Sequence, residues 1–290
     1  MSFSSDVKIE LCKQKASDCC EYAELYGIFL LSRSFSNSDI FYYSDRKEIT
    51  NKCASLIKSV YGIKVEHCMF NGNYALKSDI ISVGKIYADF IMVDYITDVF
   101  NCDVCFEAFI RGAFISGGSI TDPNKSLHAE IKTQYETVGI SLLNLLKSRK
   151  INAHLSKRSN YHIVYFKGNE NISDLLALMG ASRKALEVID VGLIKEMRNK
   201  VNRIKNCETA NIGKTVDASI KQTKAIKKLK KHGMLETLPD ELRIIANLRL
   251  ENPEMSLGEL AKNCALSRSG INHRLNKLIS ISEKIEEVKK

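Results

Sequence analysis

The polar side chains between Ser267 and Lys277 combine hydrogen-bonding groups with helical spacing. Arginine can pair with O6 and N7 of guanine, and asparagine with N6 and N7 of adenine. Each such pair discriminates between bases by about 1–3 kcal/mol. Arg268, Ser269 and Asn272 lie in the first turns of a predicted helix, where a helix in the major groove meets base edges. The candidate DNA-binding residues are Ser267, Arg268, Ser269, Asn272, His273, Arg274 and Lys277, of which Arg274 and Lys277 are assigned to phosphates.

The segment around this surface predicts three short helices. Pro239 begins the first helix, which stops before the next proline. Ser256 caps the second helix, and Glu259 completes a capping box. Ser267 caps the third helix, and a short turn with Ala265, where glycine is usual, precedes it. The inward positions of the third helix are Ile271, Leu275 and Leu278. This pattern favours a helix-turn-helix, while a bundle that serves only for oligomerisation is the alternative.

The positive charge of the chain is concentrated in its last third. Residues 200–290 contain 19 basic and 11 acidic side chains, whereas the preceding residues contain 24 and 23. Such asymmetry predicts a polyanion-binding tail domain on a near-neutral body. Six lysines lie within Lys221–Lys231, in a predicted basic helical linker. Lys227, Lys228, Lys230 and Lys231 either contact phosphates or form a solvated face, and both interpretations stay open.

Nine cysteines are scattered through the sequence. Cys102 and Cys105 form a lone CxxC, and a structural zinc site usually needs a second pair of ligands nearby. His67-Cys68 is the nearest candidate pair, but its spacing matches no known pattern. The odd number of cysteines and the lack of an export signal predict reduced, mostly buried thiols. We therefore expect no metal site and no cofactor.

Two glycine-containing apolar segments repeat at a distance of 85 residues. Gly27 in the segment Glu24–Phe35 aligns with Gly112 in Phe109–Ile120, and the apolar positions that follow also match. Because glycine lets two helix backbones approach closely, the repeat predicts two similar halves packed helix to helix. The predicted packing positions are Gly27, Gly112, Gly117 and Gly118.

These segments resemble the paired core helices of LAGLIDADG homing endonucleases. The resemblance implies that each helix would end in an acid that holds the catalytic metal. Ser32 and Gly117 stand at those two positions, and neither side chain can serve as an anionic ligand for Mg²⁺. The resemblance therefore implies the scaffold without its catalytic chemistry.

The order αββαββα is predicted twice along the chain. It indicates an α+β domain with a pseudo-two-fold axis, in which two antiparallel sheets meet across the glycine-containing helices. The predicted divisions are a first half at 1–103, a second half at 104–198, a basic helical linker at 199–236 and an all-α helix-turn-helix domain at 237–290. The sheet surface offers additional candidate DNA contacts at Lys132, Lys157, Arg158 and His162.

Three segments together resemble the WhiA family of bacterial regulators over nearly the whole chain. They are Ala108–Ser119, Asn206–Asn211 and Leu266–Leu275. The resemblance implies a degenerate homing-endonuclease scaffold tethered to a helix-turn-helix similar to region 4 of sigma factors. It also implies a role in sporulation or in cell division and chromosome segregation. The chain departs from the family pattern at Ser32-Arg33, where a small-residue pair is usual. For Asn206–Asn211 we predict a hinge or docking role.

The leading hypothesis from sequence is a transcription regulator that binds double-stranded DNA in a sequence-specific manner and is not an enzyme. One alternative is a nucleoid-associated or partner-docking protein without strong sequence preference. In that case the scaffold would dock another transcription factor or RNA polymerase. The other alternative, an active homing endonuclease, would have to use Asp39 and Asp122, which lie several residues beyond the helix ends.

Two features of the sequence predict the location of the protein. No run of 18 or more apolar residues is present, so no membrane-spanning helix is expected. The N-terminus lacks the basic start and apolar stretch of a signal peptide. We therefore expect a cytoplasmic protein associated with the nucleoid.

Overall fold

The computed structural model describes residues 2–287 and divides into two compact units. The first unit ends at Glu196 and the second begins at Met197. Met1 and residues 288–290, which belong to the first and last predicted domains, lie outside the described residues. Within the described part of the chain, no helix is both long enough and apolar enough to cross a membrane.

The first half of the first unit is a mixed helix and strand segment. It is preceded by α1 (Phe3–Cys12), a helix that the sequence analysis did not predict. Its elements are α2 (Asp18–Leu30), β1 (Ile40–Ser44), α3 (Lys47–Tyr61), β2 (Glu66–Phe70), β3 (Asn73–Lys77) and α4 (Ile80–Ile91). The hairpin predicted between β2 and β3 is confirmed. Asn71 and Gly72 form its turn with φ values of 47° and 77°, the left-handed pair that tight hairpins prefer.

The second half follows the predicted order αββαββα. Its elements are α5 (Cys105–Gly117), β4 (Gly118–Ile120), β5 (His128–Thr133), α6 (Glu136–Ser148), β6 (His154–Arg158), β7 (Tyr161–Lys167) and α7 (Asn169–Met179). The four strands form one antiparallel sheet in the order β4-β5-β7-β6. The predicted α+β class with two related halves is therefore confirmed.

The first half differs from the prediction because its sheet has three strands, in the order β1-β3-β2. The strand that would match β4 is replaced by a serine-rich loop before β1. The Ser34 hydroxyl donates to the Tyr43 carbonyl oxygen at 2.6 Å and accepts from the Tyr43 amide at 3.1 Å. Ser38 likewise donates to the Ile40 carbonyl oxygen. Serine hydroxyls that bond to nearby backbone groups compete with a strand ladder, which explains the missing strand.

Three predicted helix boundaries in the first half are wrong. Asp45 was predicted to cap α3, but the N-cap position is Arg46 and no side chain caps this helix. The helix expected over 18–34 ends at Leu30. The helix expected over 79–100 ends at Ile91, and a short 3-10 turn at Ile96–Val99 follows it. Apolar spacing continues past both helix ends, so periodicity alone overestimates their length.

The core of the first unit is the contact between α2 and α5, which run in the same direction. A Cβ atom added to Gly27 would lie 2.4 Å from the Phe109 carbonyl oxygen. A Cβ atom added to Gly112 would lie 2.0 Å from the carbonyl oxygen of Glu24. No side chain fits at such distances, so only glycine permits this approach of the two backbones.

Two of the predicted packing residues lie at the C-terminal end of this contact. A Cβ atom on Gly117 would lie 2.8 Å from the Lys132 carbonyl oxygen on β5 and 3.1 Å from Leu31 Cβ. Gly118 was also predicted to pack the core helices together, and this is corrected. A Cβ atom there would meet the Phe114 carbonyl oxygen of its own helix at 2.5 Å, so glycine at 118 serves the helix-to-strand corner.

A buried ion cluster crosses the same helix pair. The Glu24 side chain is fully buried and accepts two hydrogen bonds from the Arg111 guanidinium, each at 3.0 Å. Lys52 of α3 approaches the same carboxylate at 3.1 Å. Arg111 also donates to the Met179 carbonyl oxygen at the end of α7. The cluster thus joins four helices of the unit through one carboxylate and its neighbours.

The second unit is entirely helical. Its elements are the C-terminal part of α8 (Ser182–Lys231), α9 (Asp240–Glu251), α10 (Leu257–Asn263) and α11 (Arg268–Glu287). Ile226 and Leu229 of α8 are fully buried against the core formed by the other three helices. The predicted linker is therefore helical, and its last turns form a fourth helix of this unit. The inward residues of α9, α10 and α11 are Leu242, Ile245, Leu260, Ile271, Leu275 and Leu278.

Candidate nucleic-acid interface

The start of α10 is fixed by the predicted capping box. The Ser256 hydroxyl accepts from the Glu259 amide at 3.3 Å, and the Glu259 carboxylate accepts from the Ser256 amide at 2.7 Å. Hydrogen bonding from Ser256 to the Glu259 carboxylate lowers the pKa of Glu259. The cap satisfies two of the amides that a helix N-terminus leaves unpaired, which orients α10 ahead of the turn.

The turn between α10 and α11 depends on a left-handed residue. Ala265 adopts a φ of 52°, the conformation that glycine adopts most easily. The Leu266 amide donates to the Ala261 carbonyl oxygen at 3.0 Å and closes the end of α10. The backbone therefore has the geometry that the glycine of other helix-turn-helix units provides, although the residue is alanine.

Ser267 begins α11 as its cap. Its hydroxyl accepts from the Gly270 amide at 3.1 Å and lies 3.0 Å from the hydroxyl of Ser269. The Ser267 hydroxyl therefore forms these hydrogen bonds within the protein. The helix that it caps begins at Arg268. The cap gives the first turn of α11 a defined direction.

The first three turns of α11 present one continuous polar surface. Arg268, Ser269, Asn272, His273 and Lys277 are exposed there. On the opposite side of the helix, Ile271, Leu275 and Leu278 are fully buried. Residues three and four apart share a helix face, so Arg268 and Ser269 lie directly beside Asn272 and His273. The structure therefore brings together the three residues predicted to read bases.

Arg274 has a different environment from its neighbours. Its guanidinium donates to the Glu241 carboxylate of α9 at 2.8 Å and to the Gly270 carbonyl oxygen at 3.5 Å. Only 25% of its side chain is exposed. The phosphate contact predicted for Arg274 would compete with this ion pair, so its role in the described structure is to hold α11 against α9.

Arg249 organises the turn between α9 and α10, and sequence reasoning missed it. Its side chain is 1% exposed, and Nη1 donates to the Met255 carbonyl oxygen at 2.6 Å and to that of Pro253 at 3.4 Å. Burial lowers the pKa of this guanidinium. The Ser219 hydroxyl of α8 also donates to the Pro253 carbonyl oxygen. The sequence did contain a signal for this role, because Arg249 is a charged residue at an inward position of the first predicted helix of the unit.

The lysines near the end of α8 lie on the side away from the core. Lys227, Lys230 and Lys231 are exposed, and Lys228 is half-buried. Earlier on the same helix, Lys214 and Asn211 line a cleft of about 550 Å³ together with Arg268 of α11. The lysines among these residues extend the positive charge of the unit beyond the polar surface of α11.

The segment Asn206–Asn211 lies inside α8, and its side chains are exposed. The helix runs through it without interruption, and the Thr215 hydroxyl donates to the Asn211 carbonyl oxygen in the manner of a helix interior. The segment is therefore neither a helix cap nor a break in the helix. The hinge or docking role predicted for it stays a prediction.

The C-terminal ends of the two core helices in the first unit border a cavity of about 400 Å³. Ser32 and Gly117 line it, as do the basic side chains of Lys8, Arg33 and Lys132. The Ser32 hydroxyl accepts from the Ser34 amide at 3.0 Å, and the Arg33 guanidinium stacks on the ring of Tyr161. Burial lowers the pKa of Lys8 to about 8. Asp45 lines the same cavity, so its walls carry one carboxylate among three basic side chains.

The two acids that an active endonuclease would need lie elsewhere. Asp39 is exposed and approaches Lys77 at 3.8 Å. Asp122 accepts from the Asn124 amide at 2.8 Å in a surface turn, and this bond lowers its pKa. Neither residue lines the cavity between the core-helix ends. They cannot replace the missing carboxylates without a rearrangement of both loops.

The candidate DNA contacts on the four-stranded sheet lie on two opposite faces of that sheet. Lys132 and Arg158 belong to the face that carries Glu130, and Lys132 is paired with Glu130 at 2.7 Å. The prediction that Lys157 belongs to the same surface is wrong. Side chains alternate along β6, so Lys157 lies on the opposite face of the sheet from Arg158. His162 is also corrected. It is 8% exposed and packs against Gly139 of α6, so it is not available to a large ligand.

The cysteines are less scattered in the fold than in the sequence. Cys20, Cys53 and Cys105 are buried, whereas the other six are exposed or half-buried, so the expectation of mostly buried thiols is wrong. Cys19 and Cys20 at the start of α2 lie beside Cys102 and Cys105, a second pair that the sequence analysis did not connect with the CxxC. His67 and Cys68 lie on β2, outside this group.

Two related halves joined by glycine-containing helices, with Ser32 and Gly117 at the helix ends, define a LAGLIDADG-like domain, and a helix-turn-helix unit follows it in the chain. Two family models match the chain, the WhiA LAGLIDADG-like domain over residues 106–198 and the WhiA C-terminal HTH domain over residues 201–282. A relative from Clostridium botulinum, named "Probable cell division protein WhiA", is 36% identical and aligns with 99% of both chains. The chain belongs to the WhiA family.

Other comparisons agree with this assignment. A protein of the same name from Oceanobacillus iheyensis is 35% identical over 99% of this chain and 98% of its own length. The crystal structure of full-length DUF199/WhiA from Thermotoga maritima is similar with a TM-score of 0.60, at 27% identity over 98% of this chain and 99% of that one. The N-terminal LAGLIDADG domain of DUF199/WhiA shares the fold of the first unit, with a TM-score of 0.50 and 23% identity over 62% of this chain and 92% of that one.

Proposed function

We propose that this protein is a sequence-specific DNA-binding transcription regulator without catalytic activity, acting in cell division and chromosome segregation or in sporulation. The observation that carries the proposal is the polar surface of α11. Arg268, Ser269 and Asn272 are exposed side by side at the capped start of a helix whose other face is buried. The names of the curated relatives support the link to cell division.

Charge supplies the affinity in this proposal, and side-chain geometry supplies the specificity. Residues 200–290 carry 19 basic against 11 acidic side chains, so phosphate binding releases counterions from DNA. Lys277 and the exposed lysines of α8 contribute to this sequence-independent part. Arg268 and Asn272 have the donors and acceptors that distinguish guanine and adenine in the major groove.

The lack of catalysis is supported by the cavity between the core-helix ends. Mg²⁺ is held through carboxylates in nearly octahedral geometry. Ser32 and Gly117 occupy the two key positions, and Asp45 is the single carboxylate among the three basic side chains that line the cavity. A cleavage assay on supercoiled and linear DNA in Mg²⁺ should give no products. Double-strand cleavage that disappears with Asp122→Asn would refute this part of the proposal.

A genome-wide DNA pull-down with the purified full-length protein tests the main proposal. The wild type should enrich fragments that share a short motif, and Arg268→Ala with Asn272→Ala should lose that motif while weaker, salt-sensitive binding persists. Lys284→Ala is a matched control, because Lys284 is also exposed on α11 but lies four turns from the helix start. Uniform binding that the double substitution does not change would favour a nucleoid-associated protein instead.

Exposed apolar side chains on α8 favour a partner-docking role as a second candidate function. Met197, Val201, Ile204 and Ile212 are 51–68% exposed. Apolar groups at helical spacing on a surface are suited to binding another protein, such as another transcription factor or RNA polymerase. Direct binding of purified RNA polymerase, measured without DNA, should weaken with Val201→Asp. Equal affinity of this variant and the wild type would exclude the surface.

A further inference from the structure

Four cysteine sulfurs form a compact group at the N-terminal ends of α2 and α5. The Sγ atom of Cys102 lies 3.4 Å from that of Cys20, 3.5 Å from that of Cys105 and 3.6 Å from that of Cys19. The sulfurs of Cys20 and Cys105 are 3.8 Å apart, and all four atoms lie within 4.8 Å of one another. Among the described residues, these four cysteines are the group whose ligand atoms lie close enough together to share a metal ion.

These separations match the geometry of a single tetrahedral ion. Zinc binds thiolate sulfur at about 2.3 Å, which places the four sulfurs of a regular tetrahedron about 3.8 Å apart. A cluster of several irons would hold ligands on different metal atoms, so some of its sulfurs would be farther apart. A disulfide would need two of these sulfurs to approach to about 2.05 Å. The observed spacing therefore favours one ion bound by four thiolates.

The fold explains why the four cysteines converge. Cys20 and Cys105 are separated by 85 residues, the same offset that relates Gly27 to Gly112. Because α2 and α5 run in the same direction, their first turns lie side by side. Cys19 is adjacent to Cys20, and the Cys105 amide donates to the Cys102 carbonyl oxygen in the turn that enters α5. The first turn of α2 thus contributes one pair of ligands, and the start of α5 with the turn before it contributes the other.

Both pairs of ligands lie where helix N-termini favour negative charge. The positive ends of the α2 and α5 dipoles point toward the group and stabilise thiolates. A bound cation would release the thiol protons to solvent, since only thiolates serve as ligands.

We infer that Cys19, Cys20, Cys102 and Cys105 form a structural zinc site that ties the first half of the unit to the second. Cys20 and Cys105 are buried, and Cys102 is exposed, so the ion has a route from solvent and a closed inner side. The site lies at the opposite end of the core helices from the cavity at Ser32 and Gly117. A zinc ion there would hold α2 and α5 together at their N-terminal ends, whereas the ion cluster of Glu24 joins the two helices farther along.

Metal titration of the reduced full-length protein tests this inference. After chelation and removal of the chelator, Zn²⁺ is titrated in competition with a chromophoric indicator, and Co²⁺ is used to report the ligands. We expect one ion per chain, the absorption of tetrahedral cobalt thiolate and a higher melting temperature with Zn²⁺. Loss of an outer-shell partner already weakens metal binding by about tenfold or more, so removal of a direct ligand in Cys102→Ser should weaken Zn²⁺ binding at least as much. Cys207→Ser is the matched control, because Cys207 is also exposed but lies on α8.

The outcomes that overturn the inference are distinct from a folding defect. Far-ultraviolet circular dichroism of metal-free Cys102→Ser should match that of the metal-free wild type, since Cys102 is exposed and precedes the helix. Zinc binding that Cys102→Ser leaves unchanged, or no binding by the reduced wild type, would refute the site. Iron in place of zinc, or a disulfide among these cysteines that persists in reductant, would also refute it.

Discussion

Side chains of the same chemical type have different roles in the helix-turn-helix unit, and burial separates them. Arg268 is exposed at the start of α11, Arg274 is paired with Glu241, and Arg249 is buried against the carbonyl groups of the preceding turn. Only the first of these guanidinium groups is free for base recognition in the described structure. The sequence predicted the caps and the polar face correctly, because both follow from local spacing. It could not assign Arg274 and Arg249, whose partners lie on other segments.

Ala265 should limit the stability of the second unit. A residue with a Cβ atom in the left-handed conformation costs about 1–2 kcal/mol relative to its preferred regions, and glycine avoids most of this cost. Ala265→Gly should therefore raise the free energy of unfolding by about 1 kcal/mol in urea denaturation. Ala218→Gly is the control, because Ala218 is exposed within α8 and glycine there should lower stability by about 0.5–1 kcal/mol. A loss of stability in both variants would contradict the turn geometry.

Glu24 should be among the most sensitive residues of the first unit. Its carboxylate is fully buried between Arg111 and Lys52, whose side chains are each 9% exposed. Glu24→Gln would leave two buried cations without a counter-charge, which costs about 3–5 kcal/mol. Urea denaturation of the variant and the wild type measures this difference. A loss below about 1 kcal/mol would mean that water or another group compensates for the missing charge.

At the level of elements, the contact of α2 with α5 depends on glycine at two positions. Gly112→Ala would place a Cβ atom 2.0 Å from the Glu24 carbonyl oxygen, and backbone on both helices would have to move. We expect a loss of about 3 kcal/mol or more, as for severe overpacking. Gly84→Ala is the control, since Gly84 is also helical, on α4, and has nothing within 4 Å of an added Cβ atom. Thermal denaturation should show a large decrease for the first variant and none for the second.

The elements that sequence predicted well are those with local signals. The hairpin at Asn71-Gly72, the capping box at Ser256 and the order of the second half all follow from turn residues and periodicity. The serine-rich loop that replaces a strand before β1 could not be predicted, because its hydroxyls bond to groups that only the fold brings near. The same holds for the cysteine group. Its two pairs are 82–86 residues apart in sequence, and helix packing alone joins them.

At the scale of the whole molecule, the chain combines a near-neutral unit with a basic one. In the first unit, Ser32 and Gly117 stand at the ends of the core helices, and the cavity there is lined by three basic side chains and by Asp45. The second unit carries most of the excess positive charge and the candidate recognition surface. This division predicts that salt weakens DNA binding steeply while the preference for one sequence depends on a few side chains of α11.

The affinity ratio between a duplex containing the enriched motif and a scrambled duplex tests the central claim most directly. Fluorescence anisotropy at several salt concentrations would give this ratio and the salt slope for the wild type and for Arg268→Lys. Lysine keeps the charge but loses the bidentate geometry, so the ratio should fall about tenfold with the slope unchanged. An unchanged ratio would contradict base reading by Arg268.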